Sequence, residues 1–249
     1  MMRLERLLAN RGYCMRSDAG RFLHMHVVTV GGERLSKVEQ RVDEAAVVID
    51  GVPIDPGVMI LLMHKPVGLT CSRKDEGEIV YGLLSERQQG RDPALATVGR
   101  LDKETSGLLL ITDDGQLLHR LTSPKHHVPR VYVAELDRPL RGTEAAVFSS
   151  GKMLLEDDDK PLLPVGFESL GDKRARLTLT EGRYHQVRRM FASIGNHVNA
   201  LHRERFGPLD LAGIRVGSVR GVTVAEEGML RGATAGGPRE VAWGQSLSG

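Results

Sequence analysis

Two unbroken apolar runs constrain the fold of this chain most strongly. They are Met59-Ile60-Leu61-Leu62-Met63 and Leu108-Leu109-Leu110-Ile111. Each is far shorter than the ~20 residues a membrane span needs. Each is closed by turn formers: Lys65-Pro66 and Gly68 after the first, Asp113-Asp114-Gly115 after the second. Short, wholly apolar and bounded by turns, they read as strands in a sheet interior. Two further strands are expected at Val131 to Ala134 and Arg174 to Thr180, the second alternating Ala175, Leu177 and Leu179 with polar residues. A short helix should follow Gly115. Val187, Met190, Phe191 and Ile194 recur at helical spacing, and Gly195 closes that helix. Helices and strands mix without a βαβ rhythm. The expected class is α+β, with a mixed, mainly antiparallel sheet flanked by helices.

The first 57 residues form a unit of their own. Leu4, Leu7 and Leu8 share one helical face, and Gly12 ends that helix. Ser17 is the expected N-cap of a second helix running to about Met25, with Gly20 as a weak point. Val27 to Val30 and Ala46 to Asp50 read as strands, with the Gly31-Gly32 turn nearby. Pro53 to Gly57 reads as a linker, giving a small domain at 1–57 and a larger one at 58–225. Glycines at 228, 232, 236 and 237 predict a flexible tail over 226–249.

Charge narrows the partner. The 249 residues carry 34 Lys and Arg against 32 Asp and Glu, a net +2. That near-neutrality is an average. Residues 1–41 carry a net +4 and 173–205 a net +6, whereas 142–172 carry a net −5. Arg outnumbers Lys by 26 to 8. Its planar fork of donors suits phosphates and base edges, although a GC-rich genome would also raise Arg together with Gly. Basic stretches present a polyanion with a local field that the total conceals. The start of the chain lacks the apolar core of a signal peptide. Cys14 and Cys71 do not make a disulfide framework, and a cytoplasmic protein is expected.

Phosphate-loop, dinucleotide-binding and nucleophile-elbow motifs are absent from the sequence, as is zinc-ligand spacing among its His and Cys. The acidic run Glu156 to Asp159 reads as a solvated loop rather than a cation site. Two segments remain. Gly99-Arg100-Leu101-Asp102-Lys103-Glu104-Thr105-Ser106-Gly107-Leu108 sets a carboxylate between two cations just before a buried strand. Neighbouring cations keep a carboxylate ionised, hence usable as nucleophile or base. The other, Glu181-Gly182-Arg183-Tyr184-His185-Gln186-Val187-Arg188-Arg189-Met190, opens a helix. Taken alone, each has a plain alternative: an exposed turn, and a charged amphipathic helix.

Taken together, the segments resemble the RsuA-type pseudouridine synthases. The Gly-Arg-Leu-Asp-x-x-Thr-x-Gly-Leu signature is present. So are Lys65-Pro66-x-Gly68, Thr112 to Gln116, Thr122-Ser123-Pro124, the Glu181 to Met190 stretch, Gly195 to Val198 and Leu201 to Arg205. The resemblance spans about residues 1–220. The phrases Ser123 to His127 and Asn196 to Gly207 favour the branch acting on small-subunit rRNA. The resemblance implies isomerisation of uridine to pseudouridine in ribosomal RNA, in which nothing is oxidised and no group is supplied, so no cofactor and no metal are expected. By this likeness Asp102 is the catalytic carboxylate, attacking C1′ or removing a ribose proton. Arg188 pairs with it, and Tyr132 stacks on the uracil. RNA contacts are expected at Arg100, Lys65, Arg183, His185, Gln186, Arg189, His126, His127 and Arg203.

The N-terminal unit resembles an S4-type RNA-binding domain. It departs from that pattern where His26 to Gly32 replaces the usual Gly-Arg-Val-x-Val-Asn-Gly, and a cation is lost at Val27. His64 stands where the family usually has Asn. The expected partner is ribosomal RNA or a small-subunit assembly intermediate, with the chain a monomer. The alternatives are a 23S rRNA enzyme of the same family, a non-catalytic assembly protein, and a glycoside hydrolase. The last needs a second acid, for which Asp113-Asp114 is the nearest candidate.

Overall fold

The computed structural model describes residues 1–211 and 213–234. The two apolar runs become adjacent antiparallel strands, Ile60–Lys65 and Thr105–Thr112, in register Ile60 to Thr112 through Lys65 to Gly107. They lie near one end of a sheet whose main path has seven strands. Its order is Gly166–Gly171, Arg174–Leu179, Arg130–Leu136, Val198–Phe206, Thr105–Thr112, Ile60–Lys65 and Val219–Gly221. Every pairing is antiparallel except that of Val198–Phe206 with Thr105–Thr112. The class is α+β.

The single parallel pairing imposes a glycine. Gly107 has φ +117°, and a Cβ there would sit 2.3 Å from the Arg203 carbonyl oxygen. Only a residue without a side chain lets the two strands approach this closely.

Helices cover both faces. Gln186–Ser193 buries Val187, Met190 and Phe191 against Ala175, Leu177 and Leu179. Gly115–Thr122 buries Leu117 and Leu121, with Asp114 accepting the Leu117 N–H at its start. Each large apolar side chain fully withdrawn from water contributes ~1.5–3 kcal/mol, opposed by chain entropy.

The first residues build a separate four-stranded sheet over their own core, in which Leu4, Leu7 and Leu8 are fully buried. Ser17 does not cap the second helix. It lies in a 3-10 turn, Arg16–Asp18, and the helix Ala19–Met25 has no side-chain cap. Gly20 is exposed in that helix with open space around it. The linker is shorter than expected, because Val52–Pro53 is a strand paired with Val47–Ile49.

The expected tail needs correction. Val224–Ala233 is a helix opened by a reciprocal cap between Thr223 and Glu226. Leu230 is fully buried against the sheet, and Arg231 reaches Asp114 at 3.1 Å. The glycines at 228 and 232 weaken helix propensity, but the cap and the docked Leu230 outweigh them. Gly236 and Gly237 lie outside the described residues.

Candidate active site

Asp102 sits in the loop that feeds the Thr105–Thr112 strand, and the loop is held from beneath. Lys65 is fully buried. Its ammonium donates to the carbonyls of Pro66, Asp102, Lys103 and Thr105 at 2.9, 3.2, 3.3 and 2.8 Å. Burial pushes its pKa down, partly countered by Cys71, Asp102 and Glu104. The buried Cys71 thiol makes two long contacts with Leu101, to its carbonyl and from its N–H, each 3.4 Å. Gly68 N–H donates to Lys103 O at 2.8 Å. The carboxylate of Asp102 is therefore presented by a backbone fixed at several points.

That carboxylate faces a cavity of about 360 Å³ lined by Asp102, Arg130, Tyr132, His185, Leu201 and Arg203, among others. Tyr132 enters from the strand Arg130–Leu136. His185 stands at the start of the helix Gln186–Ser193 with φ +49°, and its Nε2 lies 3.5 Å from Asp102 Oδ1. Tyr184 is 72% exposed and stacks on the His185 ring, centroids 3.8 Å apart. Arg100 is exposed at the rim.

Several expected roles change. Arg188 makes no ion pair with Asp102. Its guanidinium donates to Val198 O at 2.8 Å and Glu104 O at 3.1 Å, joining the loop to a neighbouring strand. The cation nearest the carboxylate is His185, when protonated. Lys65 cannot reach RNA, since its charge is spent on backbone carbonyls inside the protein. Gln186 is buried, with its side chain bonded to Arg183 N–H and Glu181. Arg183 is held by Asp158, Glu181 and the carbonyls of Lys160 and Pro161. Arg189 is held by Asp158 and the carbonyls of Glu156 and Tyr184. The acidic run is thus not simply solvated: Asp158 anchors two arginines, which hold its carboxyl below the usual range. Arg203 is 1% exposed and forms part of the cavity floor rather than a surface contact. His126 and His127 are half-buried in a turn that does not line the cavity.

Asp113 and Asp114 do not supply the second acid of a hydrolase. Asp113 pairs with buried Arg91 at 2.7 Å, and Asp114 caps a helix and binds Arg231. Among the described residues no group of three His, Cys, Asp or Glu could hold a metal ion. No helix there is long and apolar enough to cross a membrane.

Sequence reasoning missed Arg130. It lies two residues before Tyr132 and so on the same face of the strand, and it lines the cavity. Period-two alternation from Tyr132 was the available signal.

A carboxylate on a clamped loop and a tyrosine lining the same cavity of about 360 Å³ suit an enzyme that acts on an extruded nucleotide. Residues 59–193 match the RNA pseudouridylate synthase family, and the chain belongs to that family. It is 39% identical over 230 residues to ribosomal small subunit pseudouridine synthase A of Escherichia coli (strain K12), covering 90% of this chain and 98% of that one. It is 38% identical over 214 residues to the protein of the same name from Pasteurella multocida, covering 84% and 90%. A crystal structure of a pseudouridylate synthase matches with TM-score 0.66 and 32% identity, over 92% of this chain and all of that one.

Proposed function

We propose that this chain converts one uridine of small-subunit ribosomal RNA to pseudouridine, with Asp102 as the catalytic carboxylate. The observation that carries the reading is the placement of Asp102 and Tyr132 in one cavity, with the Asp102 loop clamped by Lys65. The names of the relatives support the choice of RNA.

The reaction exchanges a C1′–N1 bond for a C1′–C5 bond within one nucleotide. Its atoms and electrons balance without a co-substrate. The uridine must leave its stack, at a cost of a few kcal/mol. Asp102 then acts at the ribose, at C1′ or on a ribose proton. Tyr132 holds the face of the uracil while it turns. The apolar side chains Leu101, Leu179, Val187 and Leu201 line part of the cavity and limit water at the detached base.

The N-terminal unit supports RNA capture. Arg6, Arg21, Arg34 and Lys37 are exposed on it. His24, Arg34 and Lys37 line a shallow cleft. Phosphate contacts of this kind orient an RNA without reading its sequence. The protein works as a monomer in the cytoplasm, its partner surface being RNA.

The test is carbodiimide-dependent primer extension on rRNA from a deletion strain, with wild type or D102N added back. Wild type restores one 16S stop, and D102N does not. No missing stop on deletion overturns the activity; a stop lost from 23S overturns the choice of subunit; restoration by D102N overturns the assignment of Asp102.

A further inference from the structure

The cavity holds more positive charge than its own carboxylates answer. Of the two acids lining it, Glu181 is already occupied by Leu163 N–H, Arg183 and Gln186. Only Asp102 remains, with a neutral or protonated His185 beside it. Against it stand Arg100, Arg130 and Arg203. Arg203 is tied to Leu108 O at 2.8 Å and faces the Tyr132 hydroxyl at 3.5 Å, but its Nη2 is buried without a partner. Arg130 is half-buried and is not engaged by the protein. Among the described residues its guanidinium has no hydrogen-bond or ion-pair partner. Its neighbours are the Phe206 ring, 5.4 Å from the guanidinium carbon, and the Gly182 backbone. Burial, with the Arg203 charge nearby, pushes the Arg130 pKa down. A half-buried cation without a counter-ion is only partly solvated and carries a cost. Such a cost persists at a site where an anion arrives during function.

The reaction produces one there. When C1′–N1 breaks, its electron pair stays with the base, and the negative charge spreads over N1, O2 and O4. We propose that Arg130 is a further catalytic residue, donating to a uracil carbonyl and stabilising the uracil anion while the base is detached, with Arg203 adding to the field from behind Tyr132. The inference rests on the pseudouridine synthase reading. Arg130 and Tyr132 project from one strand face, so the residue against the ring and the residue at its edge come from one rigid element. The charge is discharged when C5 bonds to C1′. The C5 proton leaves to a base, N1 takes a proton, and the product has the atoms of the substrate. Donors placed in advance where charge develops need no reorganisation when it appears.

The test compares R130M and R130K with wild type in single-turnover reactions on an RNA fragment the wild type modifies. Conversion is read by nuclease digestion and mass spectrometry. R130M is expected to slow the step about 10²–10³-fold, the usual effect of losing one such donor, with RNA affinity changed less than threefold. R130K recovers part of the rate. R130M melts within a few degrees of wild type, because Arg130 makes no hydrogen bond or ion pair that its loss would break. On RNA carrying 5-fluorouridine, which has no C5 proton to lose and is therefore read by disappearance of the intact 5-fluorouridine nucleoside, the base is the better leaving group and the R130M defect shrinks. Weaker RNA binding at an unchanged rate makes Arg130 a phosphate contact and overturns the proposal. A lower melting temperature with a matching loss on both substrates makes it structural and overturns it too. A wild type that makes no pseudouridine refutes the enzyme reading instead, so the two failures are distinguishable.

Discussion

Replacing Lys65 by Met separates its structural role from RNA contact. The ammonium is fully buried and has four carbonyl partners. Methionine keeps most of the stem volume, so the cavity left is small. The loss falls on the acceptors. Asp102 O keeps the Thr105 N–H at 3.0 Å, and Lys103 O keeps the Gly68 N–H at 2.8 Å. Pro66 O and Thr105 O lose the two shortest bonds, 2.9 and 2.8 Å. An acceptor orphaned in the interior costs ~1–3 kcal/mol, so two cost ~2–6. Removing a desolvated charge returns part of this. K65M should therefore lower stability by ~2–4 kcal/mol. It should also release the Asp102 loop, and a misplacement of ~1 Å costs about 10²-fold in rate. Urea unfolding at constant m-value reads the first effect, and single-turnover pseudouridine formation the second. If stability is unchanged and the slope of log Kd against log salt falls by about one, Lys65 is a phosphate contact and the clamp argument is wrong.

Three further outcomes test other parts of the structure. R188M should cost ~2 kcal/mol, since two charge-assisted bonds to backbone carbonyls are lost. H185Q should leave urea stability within ~0.5 kcal/mol and slow turnover about tenfold; the reverse pattern would return Arg188 to the side of Asp102. G107A should lose at least ~3 kcal/mol in urea unfolding, as its methyl would meet the Arg203 backbone; a soluble variant melting within a few degrees of wild type contradicts the close parallel approach. Glu226 is held down to about 2 from 4.5, chiefly by Arg220, so the stability it contributes is present above pH 4.5 and lost as pH falls toward 2. E226Q should flatten that part of the acid unfolding profile and fray the helix Val224–Ala233; an unchanged profile means that the cap adds nothing.

Motif and core were legible to different depths. The buried strands, the class and Asp102 could be read because each is a local pattern: an apolar run, a mixed rhythm, a signature in one loop. The C-terminal helix was obscured by its own glycines. Its stability comes from Leu230 and Arg231 meeting residues more than a hundred positions earlier. No local pattern carries such a contact.

The same division runs through the site. A row of arginines in sequence looks like an RNA-binding face, because sequence shows charge and hides its counter-charge. Arg183 and Arg189 find Asp158, Arg188 finds two carbonyls, and Lys65 finds four. By itself the sequence determined the family and the fold class, and it singled out Asp102 as the carboxylate to test. Tertiary structure alone decided which cations are consumed within the protein and which remain free. A buried charge's effect depends on what lies within a few ångströms of it, and that distance exists only once the chain has folded.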